Sequence, residues 1–236
     1  MKRIRAWYVG LTGREACNPA FRLPGSGVIA RFAPLLACLL LTSCARPPDQ
    51  SIDASAACSG SSTPVRYLPE AYEQARHSKD VVAHPYVRLL RESGEPSLLC
   101  GPSRHAIRFI WLRVFHRPVI VRVELSDGAG WIHTTELDGM GGYLDQIGKA
   151  THHFSRPLSG DEISRVNSAV DLFQMWSRPA RTQATGHDGS TWIFELRQGN
   201  RYHLVHAWYP RRGGLRDFGL LLVQLAGLEI PAEEFY

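Results

Sequence analysis

The stretch "AIRFIWLRVFHRPVIVRVEL", residues 106–125, constrains the fold more than any other part of this 236-residue chain. In 119–125, Val119, Val121, Val123 and Leu125 fall on one side while Arg122 and Glu124 fall on the other. That period of two belongs to a strand with one buried face. The run before it, 106–115, is β-branched and aromatic, and His116-Arg117-Pro118 separates the two. Residues 126–130, "SDGAG", carry turn chemistry, and "WIHTTEL" after them repeats the strand pattern. Three strands so connected predict an antiparallel meander.

Downstream the pattern alternates between helix and strand. A short strand is expected around 149–154. Ser159 with Glu162 three residues later forms a capping box, Leu158 and Ile163 are placed as a hydrophobic staple, and Ile163, Val166, Val170 and Phe173 form one apolar stripe ending before Pro179. "TWIFELRQGNRYHLVHAW" reads as two strands joined by Gly199-Asn200. That turn opposes Gln198 to Arg201 and puts Trp192, Phe194, Leu196, His203, Val205 and Ala207 on one face, with Glu195, Tyr202, His206 and Trp208 on the other. A three-residue loop would instead oppose Arg197 to Arg201, two like charges. Phe218, Leu221, Leu222 and Leu225 mark a last helix, stopped by Gly227 with Leu228 beyond it. The expected class is α+β: an antiparallel sheet of five to six strands over 106–236, with two main helices packed on one face. Residues 64–105 are expected to add an irregular segment with short helices at 69–76 and 86–92.

The N-terminal part has a different character. Residues 32–41 are a run of about ten mostly apolar residues, long enough for the core of a signal peptide and too short for the ~20 that span a bilayer. Leu41-Thr42-Ser43-Cys44 resembles the lipobox of bacterial lipoproteins. The resemblance implies a leader over 1–43, removal before Cys44 and acylation of its sulfur; Ala45 in place of aspartate implies sorting to the outer membrane, on its periplasmic side. The alternative is an ordinary secretory leader with Cys44 left as a thiol. A leader usually has ~15–30 residues, which places the expected translation start downstream of Met1, at Leu23 or Val28. Residues 44–63, small, polar and proline-bearing, are expected to be a flexible tether.

Export also changes the meaning of the net charge of +5. Six of the 27 basic residues but one of the 22 acidic ones precede Cys44, so the remainder is balanced and offers no electrostatic ground for binding nucleic acid. Beyond Cys44 two cysteines remain, Cys58 and Cys100. In an oxidising compartment they are a candidate disulfide; the other reading is a nucleophilic Cys100 served by a histidine.

Chemical motifs are sparse. "THHF", "GHDG" and "YHLVHAW" hold five of the ten histidines, but His152 and His153 are neighbours, and His203 and His206 are three apart on a strand. Each pair therefore points to opposite faces, and no metal or other cofactor is expected. Gly139, Gly141 and Gly142 lack the lysine-serine or dinucleotide spacing of a phosphate loop and read as a flexible connection. No Gly-x-Ser-x-Gly, Ser-x-x-Lys or His-Glu-x-x-His is present. What remains is the mixed face of the last hairpin, where Glu195, Tyr202, His206 and Trp208 are a candidate binding surface, or else lie beneath the flanking segments, buried and satisfied. "RFIWLRVF", "DGSTWIFEL" and "RYHLVHAWYP" together resemble a family of uncharacterised bacterial exported proteins and lipoproteins over about 106–228. That resemblance implies the same α+β domain and no activity; the family pattern has an arginine before the last tryptophan, where this chain has Ala207. The expected function is a membrane-anchored periplasmic module that binds without catalysis, its partners the membrane through the lipid and an envelope protein. The alternative is a small hydrolase assembled from distant residues.

Overall fold

The alternating runs become the strands of one sheet in the computed structural model, which describes residues 47–59, 65–70, 72, 85–141, 146–182 and 189–236. The strands are β1 (Ile52–Asp53), β2 (His105–Arg113), β3 (Val119–Ser126), β4 (Ala129–Leu137), β5 (Ala150–Pro157), β6 (Ser190–Gln198) and β7 (Arg201–Trp208). Among the described residues four α-helices accompany them: α1 (Ala54–Cys58), α2 (Pro85–Glu92), α3 (Gly160–Leu172) and α4 (Gly214–Leu225). The leader, Cys44 and the His187-Asp188 pair lie outside the described residues, as does most of the helix expected at 69–76.

All neighbouring strands are antiparallel, in the order β1-β7-β6-β2-β3-β4-β5. The class is α+β, with seven strands in place of five to six. Asp127 and Gly128, both at positive φ, turn β3 into β4 directly because Ser126 pairs with Ala129. This turn is tighter than the five-residue one expected. Gly199-Asn200 turns β6 into β7 with Gln198 opposite Arg201. Between them the chain leaves β5, crosses over the sheet as α3 and returns as β6 beside β2. The glycines at 139 and 141 are fixed, not flexible: Gly139 N–H donates to Ile147 O at 3.2 Å and Gly141 N–H to His116 O at 3.1 Å.

Each face of the sheet has its own core. On the first, Ile107, Phe109, Trp111, Val121, Trp192, Phe194 and Val205 pack against Val166 and Val170 of α3 and Phe218 and Leu222 of α4. Gly219 of α4 sits so close to Trp192 that a Cβ there would lie 2.2 Å from its ring. Residues of both main helices belong to this first core. The expectation that only one face carries helices fails, because the second-face positions of β2, β3 and β6 (Ala106, Ile110, Leu112, Ile120 and Ile193) are apolar as well. Apolar area on both faces requires two covers, at about 25 cal/mol per Å² removed from water. Ala54 of α1, Val87, Leu89 and Leu90 of α2, and Leu98 and Leu99 supply the second. Residues 85–104 are thus part of the same body as the sheet.

The helix ends follow their sequence signals. Ser159 and Glu162 bond reciprocally in a capping box at the start of α3. After α4, Gly227 is at φ +69°, with Gly227 N–H donating to Gln224 O and Leu228 N–H to Val223 O, the two bonds of a Schellman end. The tether expectation needs correction over 49–58. Ile52 and Asp53 pair with Tyr202 and Arg201, Asp53 accepts the amides of Ser55 and Ala56 as the cap of α1, and Ala54 is fully buried. The structure joins Cys58 to Cys100 in a disulfide with its Cα atoms 5.6 Å apart. Composition misled here because the segment borrows its hydrogen bonds from the sheet edge and its anchorage from a covalent bond. Among the described residues no helix is long and apolar enough to cross a membrane.

Candidate functional site

Polar side chains form a row across the second face at one level of the sheet. Ser155 lies opposite His133, His133 opposite Arg122, Arg122 opposite Arg108, and Arg108 opposite Glu195. Two arginines directly across from one another repel, so an anion must lie between them. It comes from the chain after α2. Gly94 adopts positive φ and Glu95 N–H returns to Leu90 O at 2.8 Å, which turns the backbone down onto the sheet. Glu95 Oε2 then accepts from Arg122 Nε at 2.9 Å and from Arg108 Nη1 at 3.4 Å.

The inner half of the row is closed. Arg108 and Glu195 have no exposed surface, and Arg108 Nε donates to Glu195 Oε2 at 2.7 Å while its Nη1 donates to Pro96 O at 2.6 Å. Burial alone would lower the Arg108 pKa, but Glu195 and Glu95 together override it and hold the guanidinium charged. Tyr202 O–H donates to Glu195 Oε1 at 2.8 Å; burial, and then the Glu195 carboxylate, push the phenol well above its ordinary pKa. Arg197 donates to Leu99 O and, at 2.6 Å, to Gly199 O. Arg108, Glu195 and Tyr202 have no exposed surface, and Arg197 is nearly buried. The four residues expected to share a binding surface are therefore divided. Glu195 and Tyr202 are structural acceptor and donor inside the protein. His206 Nδ1 lies 3.2 Å from the Tyr72 hydroxyl, edge-on to the Tyr86 ring, and Trp208 is half-buried with its amide near Thr182.

The outer half is open. Beyond Glu95 no helix among the described residues covers this face of β3, β4 and β5, and a depression of about 290 Å³ opens there, lined by Glu95, Arg122, His133, Thr135, His153 and Ser155. His133 Nδ1 is 2.8 Å from Ser155 Oγ, and His133 Nε2 is 3.8 Å from Glu124 Oε2. Glu124 is fixed by Arg122 Nη1 and by Ser103 Oγ at 2.8 Å. Burial first, and then the Arg122 charge, lower the His133 pKa, so the ring is neutral at neutral pH. Its Nε2 is buried and accepts or donates no hydrogen bond among the described residues. His153 Nδ1 lies 3.1 Å from Thr135 Oγ1. A second depression, about 620 Å³, follows along the same face between Glu124 and the half-exposed Trp131. No three His, Cys, Asp or Glu among the described residues are placed to hold a metal ion.

The two edges of the sheet differ. At β7, His206 is bonded on both its N–H and its carbonyl by Ala180 and Thr182, and Ala54 N–H donates to Asn200 O, so the edge is covered. At β5 the side chains are exposed along almost the whole strand. Leu158 N–H donates to Gly130 O at 2.8 Å, and alternation along the strand from that bond turns the backbone groups of Thr151, His153 and Ser155 outward. Of the residues in this half, sequence reasoning raised His152 and His153 as metal candidates and passed over Glu95, Arg122, His133 and Ser155. The period-two pattern places Arg122 and His133 on a polar face, but their meeting with Ser155 depends on the β4–β5 register.

Comparison with family models, with curated proteins and with solved structures finds no match to the chain.

Proposed function

We propose that this protein is a lipid-anchored envelope module, tethered through Cys44 on the periplasmic side of the outer membrane, that binds an extended segment of a partner protein along β5. The single observation that carries the binding part is the contrast between the covered β7 edge and the β5 edge, which is bare among the described residues. Exposed edge strands of this length invite pairing with another strand, and proteins that do not use them block them. On β5 the blocking is slight: Pro157 ends the strand, and Arg156 is engaged by Glu162 and by Leu225 O.

The occupant is set by what flanks the edge. Lys149, His152, His153 and Arg156 stand on or beside β5 with no acidic side chain on the strand, while Phe154 on one face and Trp131 on the other are nearly half exposed. An extended segment that alternates acidic and apolar residues complements both features. The anchor reading is supported by the lipobox-like Leu41-Thr42-Ser43-Cys44.

The test uses the full chain in its own envelope. A photo-crosslinking amino acid at Thr151 should give an adduct whose mapped peptide is acidic and apolar, and His153→Pro, which removes an outward N–H without touching the β4 ladder, should abolish it. An adduct to a second copy of this chain, or none above that from Gln198, overturns the reading. Mass spectrometry showing an unmodified thiol at Cys44 overturns the anchor.

A further inference from the structure

We propose that Ser155, His133 and Glu124 form the nucleophile, base and positioning carboxylate of a site that hydrolyses small acyl esters. This goes beyond docking at β5 and depends on neither the anchor nor a protein partner. Three adjacent strands bring the groups together from separate parts of the sequence: Glu124 on β3, His133 on β4 and Ser155 on β5. The hydroxyl–imidazole distance of 2.8 Å is within the reach required of a base and its nucleophile. With its proton on Nε2, turned toward Glu124 Oε2 at 3.8 Å, the His133 ring presents a free lone pair on Nδ1 to Ser155. Separations of this kind are often long before substrate binds. Arg122 and Ser103 keep Glu124 from rotating away.

The chemistry balances without any further reactant except water. Ser155 Oγ attacks the ester carbonyl carbon as its proton passes to His133 Nδ1. The carbonyl oxygen becomes an oxyanion, for which the Ser155 N–H, turned away from the β4 ladder, is a donor that the sheet does not use. Collapse breaks the bond to the alkoxy oxygen, which takes the proton from His133 and leaves as the alcohol. Water then attacks the acyl-Ser155 ester, giving its proton to His133, and a carboxylic acid departs as Ser155 recovers its hydrogen. The adjoining depression of about 290 Å³ is near the lower end of ligand-site volumes, which suits a short acyl chain. The groups that face His133 are Arg122 and Glu124 on β3, Ser155 on β5, and Glu95 from the turn after α2. Arg122 opposes protonation of the ring and the two carboxylates favour it, and burial adds to Arg122, so the base is free at neutral pH.

The full chain, purified in detergent, is assayed with p-nitrophenyl acetate and butyrate and labelled with an alkyl fluorophosphonate. Saturable turnover and a single adduct on Ser155 are expected. Ser155→Ala should lower kcat/KM by about 10²–10⁴-fold, the range ascribed to a positioned base and its nucleophile, with an unchanged melting temperature because the side chain is exposed. Glu124→Gln should lower kcat with little change in KM, which distinguishes a positioning role from a structural one. The rate should rise with pH through a value below 6.5 and then level off. Turnover no faster than that of free imidazole, equal rates for Ser155→Ala and the parent, an adduct elsewhere, or a rate that climbs with hydroxide through pH 9 each overturns the proposal. Since the crosslinking at Thr151 reads protein docking and this assay reads small esters, either can fail while the other stands.

Discussion

Arg108 is the buried cation on which the closed half of the row depends, and Arg108→Met measures that dependence. The side chain has no exposed surface, and among the described residues its removal leaves Glu195, equally buried, with the Tyr202 hydroxyl alone as a partner. Breaking one side of a buried ion pair costs about 3–5 kcal/mol, because the remaining charge is still desolvated. Glu95 retains Arg122 at 2.9 Å and adds less to the loss. For a domain of this size each kcal/mol lowers the melting temperature by about 2–4 °C, so a drop on the order of 10 °C is expected, with a matching fall in the urea midpoint. The pH dependence gives an independent check. In the variant the native state keeps a proton on Glu195 that the unfolded chain releases, so stability declines as pH rises above the ordinary carboxyl range, by at most about 1.4 kcal/mol per pH unit. Arg108→Met combined with Glu195→Gln retains an acceptor for Tyr202 and removes the charge; it should recover about 2 kcal/mol or more and lose the slope. A single substitution costing under about 1 kcal/mol, well below the range for a broken buried pair, or an equal pH slope in the double variant, would refute the reasoning.

Gly219→Ala places a methyl group 2.2 Å from the Trp192 ring, and overpacking of about 1–3 kcal/mol outweighs the ~1 kcal/mol gained in helix propensity; urea unfolding should show net destabilisation, and a more stable variant would mean the α4–β6 contact is looser than described. Hydrogen bonds from Arg156, and then from the Ser159 amide, hold the Glu162 carboxyl down to about 2. A carboxyl depressed in the folded state stabilises above its unfolded pKa and loses that contribution as pH falls toward 2. Glu162→Gln should therefore cost about 1 kcal/mol at pH 7, as partly exposed pairs do, with the difference from the parent vanishing near pH 2 in thermal melts.

What the sequence revealed and what it hid divide along a physical line. Local chemistry was legible: the Ser159–Glu162 box, the Gly227 stop and the Gly199-Asn200 turn each involve residues within about five positions, and they form as read. Which polar side chains are buried was not, because alternation assigns a face and says nothing of what lies above it. Arg108 and Arg122 stand at equivalent positions on adjacent strands, yet the first is sealed and the second lies at the rim of an open depression. The difference comes from residues 93–100, whose path has no periodic signal and is fixed by Gly94, Glu95 and the Cys58–Cys100 bridge. β1, two residues long, likewise exists only because β7 offers it partners. Ser155 and His133 meet only in the register that follows the irregularity at Glu136/Leu137, which shifts the pairing of β4 with β5. A one-residue slip there would turn Ser155 to the other face of the sheet. The candidate catalytic group and the fold are therefore linked through that irregularity: the pairing that follows it sets Ser155 opposite His133, on the strand that ends the sheet among the described residues.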